Sequence, residues 1–241
     1  MKNLEDVRRE IENLRYGYVF SYKDYVTANC CKKDIQKIIG SMVIAGELKV
    51  LDGYRYYRPD RTIFGHIKPS FYQLVKDLMI VDGIVVGYLT GHSIYRKLYL
   101  TTEESSIIQI GTNHVKPAFE RDDYTISFIK QENKITNDNI ALLQVLDIIR
   151  YITDIPDTTI SDSCECLVEL LEEINLERKK ELISLSMCYP PYSRALLGAI
   201  LDESLNDGYT DLIMESLSPS ECYNIPDAAN ALKYAKKWNL I

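Results

Sequence analysis

The stretch from Gly17 to Pro59 constrains the fold most, because start and stop signals for several short elements fall close together in it. Ser21 with Asp24 three residues later has the Ser-x-x-acid form of a capping box, which satisfies free backbone N–H groups at a helix start. A short helix to about Ala28 is expected there. A second helix is expected from about Cys31 to Ala45. Ile35, Ile38, Ile39, Met42 and Val43 recur in it at three- and four-residue steps and share one face. Gly46 stands where a left-handed C-cap residue is wanted. Glu47–Leu51 and Tyr54–Tyr57 read as two short strands, joined by Asp52-Gly53, the dipeptide favoured in a type I′ hairpin turn. Upstream, Leu4 to Leu14 reads as a helix with Val7, Ile11 and Leu14 on one face. It completes a three-helix core. Helix, turn, helix and two-stranded hairpin make the order of a winged helix-turn-helix.

The second helix would be the recognition helix. Its polar face carries Lys32, Lys33, Gln36, Lys37 and Ser41. A recognition helix enters the major groove with its N-terminal half nearest the bases. Lysines there can neutralise phosphates or contact guanine, and glutamine can pair with adenine. Arg55 and Arg58 fall on or just after the wing, where contacts to the DNA backbone are common. Two plainer readings stand beside this one. The lysines can be ordinary solvated positions, and winged helices also serve as protein-interaction modules.

Charge is divided along the chain. Residues 1–70 hold 13 Lys and Arg against 9 Asp and Glu, a net of +4, and the remainder holds 15 against 26, a net of −11. A basic head on an acidic body suits a DNA-contacting module joined to a part that points away from the duplex. No apolar run approaches the roughly 20 residues of a membrane span. The first residues, Met1-Lys2-Asn3-Leu4-Glu5-Asp6, hold no apolar signal core, so a cytoplasmic protein with no membrane partner is expected. The 6 cysteines lack metal-clip spacing: Cys30-Cys31 are adjacent, Cys164 and Cys166 are too close, and Cys188 and Cys222 are isolated. His66, His92 and His114 are not grouped with them. Reduced thiols, buried as small apolar residues, are expected, and no metal.

Beyond the wing, Arg61 to Pro69 reads as a connecting strand or linker, and Ser70 can cap a helix from about Phe71 to Leu78. Ile84 to Tyr88 reads as one short buried strand, Thr90 to Leu98 as a short helix, and Ser106 to Ile110 and Asp123 to Lys130 as extended segments. Asp138 to Ile152 is an amphipathic helix. Further helices are expected at Cys164–Ile174, Glu177–Met187, Tyr192–Leu205, Asp211–Leu217 and Asp227–Trp238, with Pro190-Pro191 as a break. The expectation is an α+β protein. Residues 1–68 form the winged helix-turn-helix domain, and residues 69–241 form a mixed α/β region followed by a helical C-terminal part.

No catalytic constellation emerges. Gly83, Gly87 and Gly91 recur every four residues, which matches neither a dinucleotide fingerprint nor a P-loop; turns and close packing account for them better. His92 beside Ser93 lacks the elbow that an activated serine needs. Asp122-Asp123 reads as a surface turn, and Glu165, Glu169, Glu172, Glu173 and Glu177 as a solvated helix face. No enzyme activity and no cofactor are expected.

Three ordered stretches nonetheless resemble a known family. Gly17-Tyr18-Val19-Phe20-Ser21 with Tyr56-Tyr57-Arg58-Pro59 and Phe64-Gly65 is the first. Gly87-Tyr88-Leu89-Thr90-Gly91 with Tyr95 and Leu100-Thr101-Thr102 is the second. Tyr189-Pro190-Pro191-Tyr192-Ser193-Arg194-Ala195-Leu196-Leu197-Gly198-Ala199, with Lys237-Trp238-Asn239, is the third. Together they resemble bacterial AbiEi-like antitoxins of two-gene abortive-infection toxin–antitoxin systems. That pattern often has glycine before Leu-Thr-Thr and glutamine after it, where this chain has Tyr99 and Glu103. The resemblance implies a repressor that binds inverted repeats of double-stranded DNA in its own promoter. It also implies an antitoxin that counters a nucleotidyltransferase-type toxin of the type IV scheme as a functional antagonist, with no stable complex expected. The alternative is a stand-alone winged-helix transcription regulator whose C-terminal domain senses a ligand or partner.

Overall fold

The computed structural model describes residues 3–63, 65–204 and 209–241. Phe64 and Leu205, named in the expectations above, lie outside the described residues, as do Met1 and Lys2. The chain is an α+β protein and divides into two compact units, Met1–Leu78 and Met79–Ile241.

In the first unit, helix α1 (Leu4–Glu12) opens on a reciprocal cap in which Asp6 N–H donates to Asn3 and Asn3 N–H donates to Asp6. Strand β1 (Val19–Ser21) runs into the Ser21–Asp24 capping box foreseen from the sequence. The box opens a single 3-10 turn, Tyr22–Tyr25, rather than a helix to Ala28. Val26 is already extended, and Thr27 and Cys30 pair as an isolated bridge. A β-branched pair, Val26-Thr27, disfavours continuation of the helix. Helix α2 (Lys32–Ile44) then takes Cys31 and Ala45 as its caps, and Gly46 adopts φ +73° just beyond. Strands β2 (Lys49–Asp52) and β3 (Arg55–Tyr57) form a hairpin, and β3 also pairs with β1, giving the antiparallel order β1-β3-β2.

The β2–β3 turn is not type I′. Its loop residues are Gly53-Tyr54, and neither adopts the positive φ such a turn requires. Asp52 instead closes the turn by accepting from Tyr54 N–H and Arg55 N–H, and a register shift between Val50 and Asp52 supplies the local twist. The expected linker folds back as a second hairpin, β4 (Asp60–Thr62) against β5 (Gly65–Ile67). Helix α3 (Phe71–Met79) comes next. The core of this unit joins Val7 and Ile11 of α1, Phe20, Tyr25, Cys30, Leu48, and Ile35, Ile39 and Met42 of α2. Phe20 meets Tyr25 edge-on at 5.7 Å between ring centres.

The second unit begins with a ribbon, β6 (Ile80–Val81) and β7 (Ile84–Val85), whose loop Asp82-Gly83 has φ +51° and +78°. This is the aspartate–glycine pair that makes the type I′ turn. The single strand expected at Ile84–Tyr88 is therefore two, because β8 (Gly87–Thr90) leaves the ribbon and enters a buried sheet. Helix α4 (His92–Lys97), β9 (Ile107–Thr112), β10 (Phe119–Arg121) and β11 (Tyr124–Lys130) succeed it along the chain. The sheet order is β10-β11-β9-β8, with β9 and β11 parallel and the other neighbours antiparallel.

Helices α5 (Ile140–Arg150), α6 (Ile160–Glu173), α7 (Leu176–Ser186) and α8 (Pro191–Ser204) build the larger core. Pro191 is the first residue of α8, where its missing N–H costs nothing. The last expected helix is two pieces: α10 (Ala228–Ala231), numbered after α9 (Asp211–Glu215), and a 3-10 turn, Ala235–Trp238. Trp238 is buried with its Nε1 donating to Asp202 at 2.7 Å, and a Cβ on Gly198 would stand 2.4 Å from its ring. Tyr99 sits at φ +59° and is 95% exposed, in the left-handed region where glycine carries no strain.

Candidate nucleic-acid interface

Helix α2 has two faces of opposite character. Ile35, Ile39 and Met42 are buried, while Lys32, Lys33, Gln36, Lys37 and Ser41 are all exposed. Four-residue spacing stacks Lys33 with Lys37 and Lys37 with Ser41, and Gln36 neighbours Lys33 and Lys32 on the same side. Gly40 lies between them, and a Cβ there would meet nothing within 4 Å. Ile44 extends the stripe in the last turn and is 90% exposed. The polar groups are lightly engaged. Lys37 Nζ is 3.8 Å from Asp34, Lys32 Nζ lies over the Tyr22 ring at 5.0 Å, and Ser41 Oγ donates back to the Ile38 carbonyl. Lys23, exposed on the turn before α2, adds a cation that helical periodicity did not single out. Its only sequence signal is its place inside the capping box.

The two wing arginines are placed differently from the lysines. Arg55 is 3% exposed. Its guanidinium donates to Asp52 at 2.7 Å, to the Leu74 carbonyl at 2.6 Å and to Asp77 at 3.2 Å. It ties the hairpin to α3 and offers no open face to a phosphate, so it leaves the set of candidate contacts. Arg58 is half-buried. It donates to the carbonyls of Glu12 and Leu14, where a cation complements the end of α1, and it stacks 4.6 Å from the Tyr16 ring. Its charge is already in use. The side chains left on display at the candidate interface are therefore those of α2, with Lys23.

In the second unit, the two stretches that carry the family resemblance meet at a side chain the sequence reading passed over. Asp147 of α5 is 2% exposed and accepts hydrogen bonds, each 2.8 Å, from Tyr88 and Thr90 of β8 and from Tyr189 before α8. Gln131 Nε2 donates to both tyrosine oxygens, and the Asn133 amide donates to Gln131 in turn. Withdrawal from water pushes the Asp147 carboxyl up despite its three hydroxyl donors, and pushes Tyr88 and Tyr189 up further. The network is internally satisfied, which suits a positioning role in the core better than chemistry. The available signal was one aspartate in the apolar run Val145-Leu146-Asp147-Ile148-Ile149.

The remaining sequence candidates separate. Among the described residues His92 Nε2 and Ser93 Oγ are each buried without a hydrogen-bond partner and are not bonded to each other as a nucleophile–base pair would be. Gly83 serves a turn, Gly87 packs against the Gly111 carbonyl, and Gly91 has φ +62°. None of the six cysteines forms a disulfide, but only Cys30 and Cys164 are buried; Cys31, Cys188 and Cys222 are exposed, against the expectation of burial. Among the described residues no cluster of three or more metal-ligating side chains occurs, and no helix is long and apolar enough to cross a membrane. No protein-family model matches the chain, and no curated protein or solved structure matches it.

Proposed function

We propose that the first unit is a winged helix-turn-helix that reads DNA through α2, and that the whole chain is an antitoxin repressing its own operon. The observation that carries the DNA-binding half is the exposed, cation-bearing face of α2 set opposite its buried face. It lies within the order helix, strand, turn, helix, hairpin. Such a helix can enter the major groove with Lys32, Lys33, Gln36 and Lys37 leading. The lysines supply sequence-independent attraction to phosphate, and Gln36 is the side chain suited to reading adenine. Ser41 stands further along the same face. The antitoxin half is supported by the resemblance of the three stretches described above. The antagonist on this reading is a nucleotidyltransferase-type toxin, opposed without a stable complex.

The test is growth of a host expressing the neighbouring gene, with and without this chain, alongside binding of the purified protein to its own promoter duplex. Rescue together with saturable promoter binding is the expected result. If the neighbour is harmless while the promoter is still bound, the stand-alone regulator replaces the antitoxin. If the promoter is not bound above random DNA, the DNA-reading half fails. A chain beginning at Met79 separates the activities: it should keep protection and lose DNA binding.

A further inference from the structure

The second unit contains a cavity of about 260 Å³ that neither the polar network nor the DNA-binding proposal uses. It is lined by His92 and Tyr95 of α4, Gln109 of β9, Ile129 of β11, and Tyr151 and Asp154 just past α5. Five of these six side chains carry hydrogen-bonding groups, and the protein satisfies few of them. His92 Nε2 is buried without a partner among the described residues. Tyr95 is 4% exposed and Gln109 and Tyr151 are half-buried, and among the described residues the two hydroxyls and the Gln109 carboxamide form no hydrogen bond. Asp154 accepts only a long bond, 3.3 Å, from the adjacent Thr153. A buried imidazole nitrogen is normally satisfied, so the open His92 Nε2, bordered by the half-buried Gln109 and Tyr151 and the exposed Asp154, marks a place where a ligand completes the bonding.

The cavity is built rather than incidental. Gln109 lies across Gly91 so closely that a Cβ on Gly91 would stand 1.8 Å from the Gln109 side-chain oxygen. Gly91 also needs its φ of +62° to start α4. Glycine at that position therefore both turns the chain and lets the carboxamide lie where it borders the cavity.

The lining defines the ligand's chemistry. Among the described residues no lysine or arginine lines it, and its one lining charge is the Asp154 carboxylate, with Arg150 behind the Tyr151 ring. Burial, and then the charges of Asp147 and Asp154, raise the Tyr95 hydroxyl well above its usual range, so it stays a neutral phenol. Tyr95 and the His92 ring, 6.0 Å apart, provide aromatic faces, whereas the Tyr151 ring already carries the Arg150 guanidinium at 5.1 Å. Asp154, the carboxamide oxygen and the phenol oxygens all offer acceptors. Aromatic faces, one carboxylate and surplus acceptors match a group that has only donors and a positive charge. The volume is below the range of drug-sized sites, about 300–1,000 Å³. We propose that this cavity binds a small organic cation bearing a primary ammonium or guanidinium group, with Asp154 as counter-ion and Tyr95 as the buried acceptor.

The test is calorimetric titration of the full chain with agmatine and putrescine at physiological ionic strength, using 1-butanol, cytidine, guanosine and inorganic phosphate as comparison probes. Saturable one-to-one binding of at least one amine is expected, with the alcohol and phosphate silent. Asp154→Asn, at an exposed residue whose replacement leaves the core intact, should weaken it about tenfold or more, the scale of one lost ion pair in a half-enclosed site. Tyr95→Phe should weaken it several-fold without changing the melting temperature of the free protein by more than a few degrees. Amide NMR shifts on titration should centre on residues 91–95 and 151–154. The proposal is overturned if neither amine saturates up to about 10 mM, a limit near −3 kcal/mol. It is also overturned if Asp154→Asn leaves amine binding unchanged, or if a nucleoside binds as well as the amines, which would make the cavity a base pocket.

Discussion

Replacing Lys32, Lys33 and Lys37 together with alanine is the sharpest probe of the α2 interface. All three side chains are exposed, and the nearest carboxylate contact among them, Lys37 to Asp34 at 3.8 Å, is a surface pair worth at most about 0.5 kcal/mol. The substitutions should leave the fold intact, with a thermal midpoint within a few degrees of wild type. Binding should respond far more. Each phosphate contact contributes about 0.9 to the slope of log K against log salt, so three lost contacts should flatten the slope by about 2.7. Between 50 and 200 mM salt the variant should then lose roughly 40-fold less affinity than the wild type does over the same interval. Fluorescence anisotropy of a labelled promoter duplex, titrated at four or five salt concentrations, measures the slope directly. An unchanged slope in a folded variant would refute the placement of these lysines on phosphate, whatever happened to affinity at a single salt concentration. Gln36→Ala should behave in the opposite sense, keeping the slope and lowering the preference for operator over random DNA by about 1–3 kcal/mol.

The geometry sets three further outcomes. Arg55→Leu should destabilise the first unit by about 2–3 kcal/mol in urea unfolding. It strands Asp52, Asp77 and the Leu74 carbonyl, although the partial exposure of the two acids keeps the loss below that of a fully buried pair. Partial burial raises the Asp52 carboxyl, but the bonds from Arg55 and from the turn amides outweigh it and hold the group below the usual range. The wild-type advantage should therefore be full above about pH 4 and shrink as pH falls through the lowered value, and a pH-independent difference would contradict the pairing. Asp147 works with the opposite sign: its raised folded value means that stability is lost as pH rises from about 4 through that value, so Asp147→Asn should show a flatter pH dependence than wild type. Parallel stability curves for the two proteins would contradict the buried-carboxylate account. Tyr99→Gly should stabilise the second unit by about 1 kcal/mol by relieving a left-handed tyrosine that buries almost nothing, and a lower urea midpoint would show that the exposed ring has an unrecognised contact.

The sequence made the periodic elements legible and the side-chain partnerships much less so. Helix α2 could be read to within a residue at each end because its apolar spacing, its glycine stop and its polar face all agree. The short helix before it could not, because one 3-10 turn and a helix share the same capping box. Asp-Gly occurs at 52–53 and at 82–83, but only the second pair makes the primed turn. At the first, the Asp52 carboxylate is drawn to Arg55, and a strand irregularity takes over the twist, which depends on a residue outside the dipeptide. Arg55 read as a surface contact because its partner Asp77 lies 22 residues away on a helix of its own. Asp147 and the cavity at Tyr95 were invisible for the same reason. Each assembles residues from separated strands and helices, and one acid in an apolar helix gives no hint of which hydroxyls will reach it.

The hydroxyls around Asp147 also set an order of assembly during synthesis. Tyr88 and Thr90 leave the ribosome long before Tyr189, so for some 40 residues after Asp147 appears its carboxylate has at most two of its three donors. The first unit carries its own partners and can complete itself in that interval, whereas the second cannot close its core until α8 begins. A nascent chain stalled shortly before residue 189 would thus present a finished α2 face tethered to an unfinished body.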